Sequence, residues 1–506
     1  MPPQAGLVIT VKSFRFAGNT LLSAVQLGPA VAEYLDRPLD YTQLQAAATA
    51  VANAYRAAGW IVRAYLPRQE ITDGIVTIQI VEAVFGGLHL EGDVPRRINR
   101  ERIAKAFDAQ QKVGSPLNAE RLDRALLLAD DLPGVAVSGS LGEGTREGET
   151  DLVLKVVDEP LIAGEAALDN TGARSTGRER ATASLYLNSP AGVGDLFSAN
   201  LIHTQGSDYG RIGFTVPLGL DGWRVGVNAS ALNYRLVAPE FIPLDARGKS
   251  DSAGMEASYA IIRSRLKNLY FNAGVDHKSF DNQSVGAVTT RYKIDAITLG
   301  LAGNLFDSVG GGGANSASLS FVEGRANLDG SPNQAADAAT TSVAGHYGKL
   351  RYAASRQQSV TDSVSLFAAL SGQSASKNLD SSEKFYLGGA YGVRAYPANE
   401  GGGSEGRLLN LELRWRLPAG FNLAGFYDYG QVTVNRNNGF TGAAALNDYS
   451  LKGAGLALAW QSARGPSLRA VWAHRIGSNP NATASGNDQD GSLIRNRVWV
   501  TASLPF

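Results

Sequence analysis

The feature that most restricts the fold of this chain is an alternation of apolar and polar side chains through residues 161–506, where we find no convincing helical periodicity. A side-chain period of two indicates a β-strand with one apolar and one polar face. The last segment shows it most plainly, with Val498, Val500, Ala502, Leu504 and Phe506 alternating with Arg497, Trp499, Thr501 and Ser503. The sequence therefore predicts an all-β region of about 345 residues.

The two faces of these strands favour a membrane barrel. The apolar face is often built from Ala and Val, whereas a soluble sandwich would carry larger side chains that fill a core. The opposite face is strongly hydrophilic, and lipid outside with water inside produces this combination. Such a sheet has to close, because an open edge in hydrocarbon leaves backbone groups unpaired. A soluble sandwich remains the alternative.

The connections between strands indicate the same class. Short turns at 189–192 and 217–222 contrast with long polar connections at 233–255, 325–345 and 477–492. Short turns at one end and long loops at the other are typical of outer-membrane barrels, which have an even number of strands. At roughly 22 residues per strand and connection, we expect about sixteen antiparallel strands.

Composition excludes several classes of site. The chain has 506 residues with 47 Lys and Arg, 47 Asp and Glu, and no Cys. A disulfide scaffold and a thiolate metal site are therefore excluded, and the charge balance gives no argument for nucleic acid. No run of 18 apolar residues marks a membrane-spanning helix. The five His are scattered, and we predict no metal, no cofactor and no small-molecule substrate. Asp488 and Asp490 are interpreted as part of a solvated loop rather than a calcium site.

Residues 7–83 and 84–158 repeat the order strand, helix, helix, strand, strand, which indicates two small α/β domains. The segment Asp158-Glu159-Pro160 marks a joint, so we expect domains at 1–83, 84–159 and 160–506. Helices are predicted at about 23–35 and 97–107, with a capping box at Thr42 and Gln45 and with Asn118 as a helix N-cap. The opening residues lack the charged and apolar regions of a signal peptide, so for an exported protein we expect the leader to have been removed.

The polar, Gly-rich stretch 387–405 is too long for a hairpin turn, and such long connections are usually functional or disordered. An ordered Arg394 among glycines requires a carboxylate partner. If the loop folds back into the barrel lumen, the following strands offer Asp428 first and Glu412 second. Gly430 shares the face of Asp428 and leaves room for close approach to the wall. An unpaired Arg394 in an exposed loop is the alternative.

Several short motifs stand in order along the chain. They are Phe14–Thr20 and Ala64–Gln69 of the first α/β unit, Leu168–Gly172 with Thr176 and Gly177, the loop-tip residues Gly392, Val393, Arg394, Ala395 and Tyr396, the segment Phe426–Gly430, and the terminal Phe506. In this order they resemble the motifs of two-partner secretion transporters (TpsB), which are members of the outer-membrane assembly and secretion superfamily. The two α/β units resemble tandem POTRA domains, Leu168–Gly172 with Thr176 and Gly177 resembles the first barrel hairpin, and Phe426–Gly430 resembles the wall motif that receives the loop tip. The resemblance covers nearly the whole chain.

The resemblance implies an outer-membrane transporter rather than an enzyme. Its POTRA domains would lie in the periplasm and bind an unfolded secreted exoprotein of the TpsA type, which would then pass through the lipid-embedded barrel. Arg394 and Asp428 would hold the loop in a conducting arrangement. In that fold the second strand of each POTRA domain lies at a sheet edge, where an extended partner can add by β-augmentation. The edge residues are Ile61, Val62, Arg63 and Tyr65 in the first domain, and Val135 and Val137 in the second.

Two departures from the family pattern affect these expectations. The family usually has Gly where this chain has Ala395, and a positive φ would strain an alanine, so we expect a differently turned loop tip. The family often begins with a helix that plugs the barrel, whereas this sequence starts almost directly at the first POTRA strand. We therefore expect no regulation by release of a plug.

Three other functions stay open. The first is an insertase of the same superfamily that assembles other barrels, although such relatives tend to carry more POTRA units. The second is a diffusion porin with periplasmic domains. The third is an outer-membrane hydrolase that uses Ser404, because 402–406 matches G-x-S-x-G; this match lacks the strand and helix that a nucleophile elbow requires.

Overall fold

The computed structural model describes residues 8–92, 95–146 and 148–506. The chain divides into two compact units, Met1–Glu159 and Pro160–Phe506. The expected boundary between residues 83 and 84 stays a prediction. No helix in the described ranges is both long enough and apolar enough to cross a bilayer.

The first unit contains two α/β modules with the same topology. In each, a central strand pairs in parallel with one edge strand and antiparallel with the other: Ile75–Glu82 lies between Ser13–Ala17 and Val62–Tyr65, and Glu149–Asp158 lies between Val84–Glu91 and Val135–Glu143. In the first module, Ile9–Thr10 and Pro38–Leu39 form a separate antiparallel pair. The elements are β1 (Ile9–Thr10), β2 (Ser13–Ala17), α1 (Ala24–Val31), β3 (Pro38–Leu39), α2 (Tyr41–Ala57), β4 (Val62–Tyr65) and β5 (Ile75–Glu82), followed by β6 (Val84–Glu91), α3 (Arg100–Gln110), α4 (Ala119–Asp130), β7 (Val135–Glu143) and β8 (Glu149–Asp158).

The helix boundaries correct the sequence-based expectation at one cap. The capping box of α2 is formed by Asp40 and Gln43, not by Thr42 and Gln45, because the helix already begins at Tyr41. The Asp40 carboxylate accepts the Gln43 backbone N–H at 2.8 Å, and the Gln43 side chain accepts the Asp40 N–H at 3.0 Å. Asn118 caps α4 as predicted, accepting the N–H of Arg121.

Residues 160–506, all of which are described, form a closed barrel of sixteen antiparallel strands, which confirms the predicted class and strand number. The first strand pairs with the last, from Asp169 opposite Thr501 to Glu165 opposite Pro505. The wall strands are β9 (Ile162–Asp169), β10 (Arg180–Asn188), β11 (Leu196–Thr204), β12 (Ser207–Leu218), β13 (Trp223–Arg235), β14 (Arg247–Arg263), β15 (Lys267–Ser284), β16 (Ala287–Asp307), β17 (Gly313–Asn327), β18 (Gly345–Ser359), β19 (Val364–Ala375), β22 (Glu405–Arg416), β23 (Phe421–Thr433), β24 (Asp448–Gln461), β25 (Ser467–Arg475) and β26 (Asn496–Pro505), while β20 (Phe385–Tyr386) and β21 (Gly402–Gly403) lie outside the wall.

The two ends of the barrel differ in their connections. At the end where β9 begins, here called the turn end, the connections span three to seven residues. At the other end, the loop end, the connections include 236–246, 328–344, 376–404 and 476–495, together with two-residue turns at 205–206 and 285–286. The predicted connection 233–255 was too long: β13 ends at Arg235 and β14 already begins at Arg247, so the connection is 236–246. The short helix α5 (Gln334–Ala339) in the fifth loop was not predicted.

Apolar side chains of the wall face outward. Met255, Ile297 and Leu504 are each more than half exposed, whereas Asp428 on the opposite face is fully buried. A soluble sandwich would bury the first set and expose the second, so that alternative is excluded. The inward-facing positions are the ones that can meet a loop inside the barrel.

Candidate functional site

The long connection between β19 and β22, residues 376–404, is held by its own backbone. The short strands β20 and β21 pair at its base. Nearer the tip, the Val393 N–H donates to the Leu387 carbonyl at 2.7 Å and the Tyr396 N–H donates to the Val393 carbonyl at 3.0 Å. Gly392 is required for this turn, because a Cβ there would lie 2.0 Å from the Leu387 oxygen. The loop therefore presents its tip in one defined shape.

The tip places Arg394 against two carboxylates of the inner wall. Its Nε and Nη2 donate to Asp428 at 2.9 and 2.7 Å, and its Nη1 donates to Glu412 at 2.8 Å. The Asn410 amide donates to Asp428, and Arg414 donates to the second oxygen of Glu412. Two carboxylates on neighbouring strands are thus neutralised by one loop cation and one wall cation. Both candidate partners, and not one of them alone, hold Arg394, which is only 3% exposed.

Aromatic residues complete the surroundings of this guanidinium. Its Cζ lies 3.4 Å from the ring centroid of Phe426, close enough for a cation–π interaction. The indole N–H of Trp499 donates to the backbone carbonyl of Arg394 at 2.8 Å. Tyr396 is fully buried, and its ring lies 4.3 Å from the Cζ of Arg475. Through these polar and aromatic contacts the tip meets strands β22, β23, β25 and β26, and Ala395 lies against Gly453 of β24.

The tip also packs by shape. A Cβ added to Gly430 would lie 2.8 to 3.2 Å from side-chain atoms of Leu387 and Val393, so this glycine lets the loop approach the wall, as its position suggested. Loop and wall together bury one apolar cluster inside the barrel. Its members are Leu387, Ala390, Val393, Ala395, Tyr396, Leu408, Phe426, Val432, Tyr449, Leu451, Ala457, Val471, Ala473 and Trp499.

A second anchor, which sequence reasoning missed, fixes the base of the loop. The carboxylate of Glu383 accepts from Lys278 at 2.8 Å and from Lys349 at 2.6 Å, and Gln373 donates to the Glu383 carbonyl. Burial raises the pKa of Glu383, but the two ammonium groups outweigh it and hold that pKa below its usual range. The sequence carried no signal for this anchor, since inward-facing lysines are ordinary in a water-filled barrel.

A third contact joins the loop to the last connection, 476–495. Asn479 donates to both Glu400 and Asp488 at 2.9 Å, and the Gln489 backbone N–H donates to Glu400 at 2.9 Å. Arg475 forms an ion pair with Asp488. Asp488 is fully buried and Asp490 is nearly so, which corrects the interpretation of this segment as a solvated loop. Among the described residues, no group of three or more His, Asp or Glu is arranged to hold a metal ion.

The predicted edge strands lie at the edges of their sheets, but part of each edge is already occupied. The Ile61 N–H donates to the Leu117 carbonyl, and the Val137 N–H donates to the Asp130 carboxylate. Arg63 and Tyr65 expose their side chains, and the cation of Arg63 lies 5.4 Å from the Tyr65 ring. Val62 is half-buried and Val135 is buried in its domain core.

The backbone pattern shows which edge amides point away from each sheet. The Ala83 N–H donates to the Ile61 carbonyl, and the Glu159 N–H donates to the Gly134 carbonyl. Because outward and inward groups alternate along an antiparallel strand, the outward amides fall at Val62 and Ala64 in β4, and at Gly139 and Leu141 in β7.

Comparison with known proteins assigns the chain to a family. Residues 148–458 match the model of the haemolysin secretion/activation proteins ShlB/FhaC/HecB, and residues 9–83 match the ShlB-type POTRA domain. The heme/hemopexin transporter protein HuxB of Haemophilus influenzae strain 86-028NP is 26% identical over 451 residues, which are 87% of this chain and 78% of HuxB. The outer membrane transporter CdiB of Dickeya dadantii is 24% identical over 427 residues, covering 81% of this chain and 73% of CdiB.

Solved structures show the same fold. CdiB from Escherichia coli superposes with a TM-score of 0.75 at 20% identity and covers 100% of this chain and 93% of CdiB. BamA from Haemophilus ducreyi lacking POTRA domains 1–3 superposes with a TM-score of 0.57 at 15% identity, covering 98% of this chain and all of that chain.

Proposed function

Because this chain belongs to the family of haemolysin secretion/activation proteins ShlB/FhaC/HecB, we propose that its exoprotein substrate adds as a strand to the edges of the first unit and passes a loop clamped by Arg394. The family consists of outer-membrane transporters of two-partner secretion, so the chain is such a transporter, with its N-terminal domains in the periplasm and an exoprotein of the TpsA type as its partner. The predicted family, function and location are thereby confirmed. Two-partner secretion is therefore preferred to the insertase and porin alternatives.

The observation that carries the proposed clamp is the pair of wall carboxylates on Arg394. Removing one partner of a buried ion pair costs about 3–5 kcal/mol, because the other charge is left buried without compensation. Asp428 is fully buried and the Glu412 side chain is nearly so, so while the tip lies on the wall, the guanidinium compensates two carboxylates that have little access to water. Arg394 thus sets the position of the loop while substrate moves past it.

The open amides at Ala64 and Leu141 support the proposed route of substrate capture. Backbone hydrogen bonds at a sheet edge supply affinity for an unfolded chain with little demand on its sequence. This suits a partner that arrives extended. The same edges would give a diffusion porin no advantage.

The serine of the G-x-S-x-G match argues against hydrolysis by this chain. Ser404 is fully buried, its hydroxyl accepts the Leu379 N–H at 3.1 Å, and the hydroxyl donates to the Val434 carbonyl at 3.2 Å. A nucleophile has to be accessible and paired with a base. We therefore propose transport without a catalytic step.

Substitution of an edge amide tests substrate capture. Leu141→Pro removes an outward N–H at a position where proline is tolerated, and Leu141→Ala, the matched control, removes the side chain but keeps the N–H. With the full chain in detergent and a labelled, unfolded amino-terminal fragment of a large exoprotein from the same genome, we expect Leu141→Pro to weaken binding roughly tenfold and Leu141→Ala to change it little. Equal binding by wild type and Leu141→Pro would contradict capture at this edge.

A further inference from the structure

The outward face of the barrel changes from apolar to charged near the loop end. Along β13, the outward positions run Val227, Ala229, Ala231, Asn233 and Arg235. Along β14 the same rows continue as Met255, Ala253, Asp251, Lys249 and Arg247, because these residues are paired across the two strands. The half-exposed Val227 and Met255 lie in the lipid-facing band. The charged rows therefore lie where that band ends.

Three exposed cations meet at this boundary: Arg235, Arg247 and Lys249, here called the basic patch. Arg235 lies directly opposite Arg247. The Leu236 N–H donates to the Ala246 carbonyl at 2.8 Å, so the next pair along the ladder, Arg235 and Arg247, is a non-hydrogen-bonded pair. Opposing side chains come closest in pairs of this type. Like charges in that position are destabilising. An anion between the two guanidinium groups would convert this repulsion into attraction.

The nearest carboxylates do not fill that role. Asp281 lies opposite Lys249 and also accepts from Arg291 at 2.8 Å, and Asp208 is paired with His203 at 2.6 Å, so neither lies in the row of the arginine pair. Asp251 lies two outward rows closer to the apolar band than the arginine pair, opposite Ala231. The row that contains the arginine pair continues to the neutral Gln283. The basic patch thus carries excess positive charge at its outer row.

We propose that the basic patch binds the phosphate groups of a glycolipid in the outer leaflet of the outer membrane. The three cations of the patch, together with the paired Asp208 and Asp281 and with neutral residues, line a surface cavity of about 520 Å³ on the outward side of β11–β15. Below it, small side chains such as Ala231 and Ala253 leave space for acyl chains against the wall. A phosphate accepts bidentate hydrogen bonds from arginine. The inference depends on the outer-membrane location but not on how substrate is exported.

The affinity of the protein for a phosphorylated lipid tests the proposal directly. The full chain is delipidated in detergent, and its affinity is measured by native mass spectrometry for a hexa-acyl glucosamine disaccharide lipid with two phosphates. Each basic residue near a charged membrane surface contributes about fivefold in affinity, so Arg235→Gln/Arg247→Gln/Lys249→Gln should weaken binding by roughly a hundredfold. The lipid without its phosphates should bind wild type about as weakly as the intact lipid binds the variant.

The matched control removes three cations from the inner face instead. Arg211, Arg351 and Arg469 lie on the face opposite the exposed Ile212, Leu350 and Leu468. Arg211→Gln/Arg351→Gln/Arg469→Gln should keep affinity within about threefold, since lumen charges do not reach the lipid. Heat-modifiable migration on gels establishes that each variant forms a barrel. If the outer triple variant does not fold, Arg235→Gln/Arg247→Gln should still lose roughly 25-fold.

Three results would overturn the proposal. The first is unchanged affinity in a folded outer variant. The second is equal binding of the lipid with and without its phosphates. The third is displacement of the lipid by inorganic phosphate at equimolar concentration, which would identify a site for a free anion rather than for a lipid headgroup. Export is not measured, so a failure here is distinct from a failure of the transport proposal.

Discussion

The methyl group of Ala395 lies against Gly453 of the inner wall, and a Cβ added at Gly453 would come within 2.7 Å of the Ala395 Cβ. Ala395 is fully buried, and the described non-glycine residues with positive φ do not include it. The alanine at the loop tip therefore avoids backbone strain, and the wall accommodates its extra carbon by having none at the facing position.

Gly453→Ala is expected to push the tip away from the wall, because the two methyl groups cannot both fit. Overpacking of this kind typically costs about 1–3 kcal/mol. Adding Ala395→Gly should recover most of the loss, so a double-mutant cycle by thermal unfolding in detergent should give a coupling of similar size. Gly425→Ala is the control, since its Cβ would have its nearest neighbour at 3.9 Å. Additive effects of Gly453→Ala on the wall and Ala395→Gly at the tip would show that the two side chains do not contact each other.

Trp499→Phe should loosen the loop without unfolding the barrel. The substitution keeps an aromatic ring but leaves the buried carbonyl of Arg394 without its donor, at a cost of about 1–3 kcal/mol. We expect faster proteolysis within 387–404 in detergent. Trp460→Phe, on the outward face and without a contact to the loop, should leave that rate unchanged. Equal rates for the two variants would mean that the indole bond does not hold the tip.

The two buried glutamates of the loop should give opposite pH dependences. Burial raises the pKa of Glu400, the bonds from Asn479 and Gln489 only partly offset it, and Asp488 and Asp490 raise it further. Its folded pKa is thus above the unfolded value, so its contribution to stability is present at low pH and is lost as pH rises through the folded pKa. Glu383 has a lowered pKa, so its contribution is present at high pH and is lost as pH falls.

Thermal unfolding of wild type and single variants between about pH 4 and pH 8 separates these effects. Relative to Glu400→Gln, wild type should lose stability as the pH rises. Relative to Glu383→Gln, wild type should gain it. Parallel pH profiles for the two comparisons would contradict the assigned directions.

Sequence reasoning succeeded where a pattern is local or periodic. The alternation through residues 161–506 predicts the barrel, and chain length per strand predicts sixteen strands. Asp428 was identifiable because it shares an inward face with Gly430. The α2 cap was misplaced because Thr42 and Gln45 have the right spacing inside a helix that already begins at Tyr41.

The remainder of the site depends on contacts between residues far apart in the chain. Glu383 meets Lys278 and Lys349 only when the barrel closes and the loop folds back. The burial of Asp488 similarly depends on Arg475 and on the loop residue Glu400 approaching from the lumen. Neither arrangement leaves a spacing or composition that could be recognised in advance.

The amount of exoprotein exported by the Arg394→Ala variant tests the central claim most directly. Arg414→Ala is the control, because Arg414 binds the same Glu412 from the wall and not from the loop. We expect Arg394→Ala to assemble a heat-modifiable barrel at near wild-type levels and to lower the amount of exoprotein at the cell surface at least tenfold, whereas Arg414→Ala should retain most export. Wild-type export by Arg394→Ala would contradict the account.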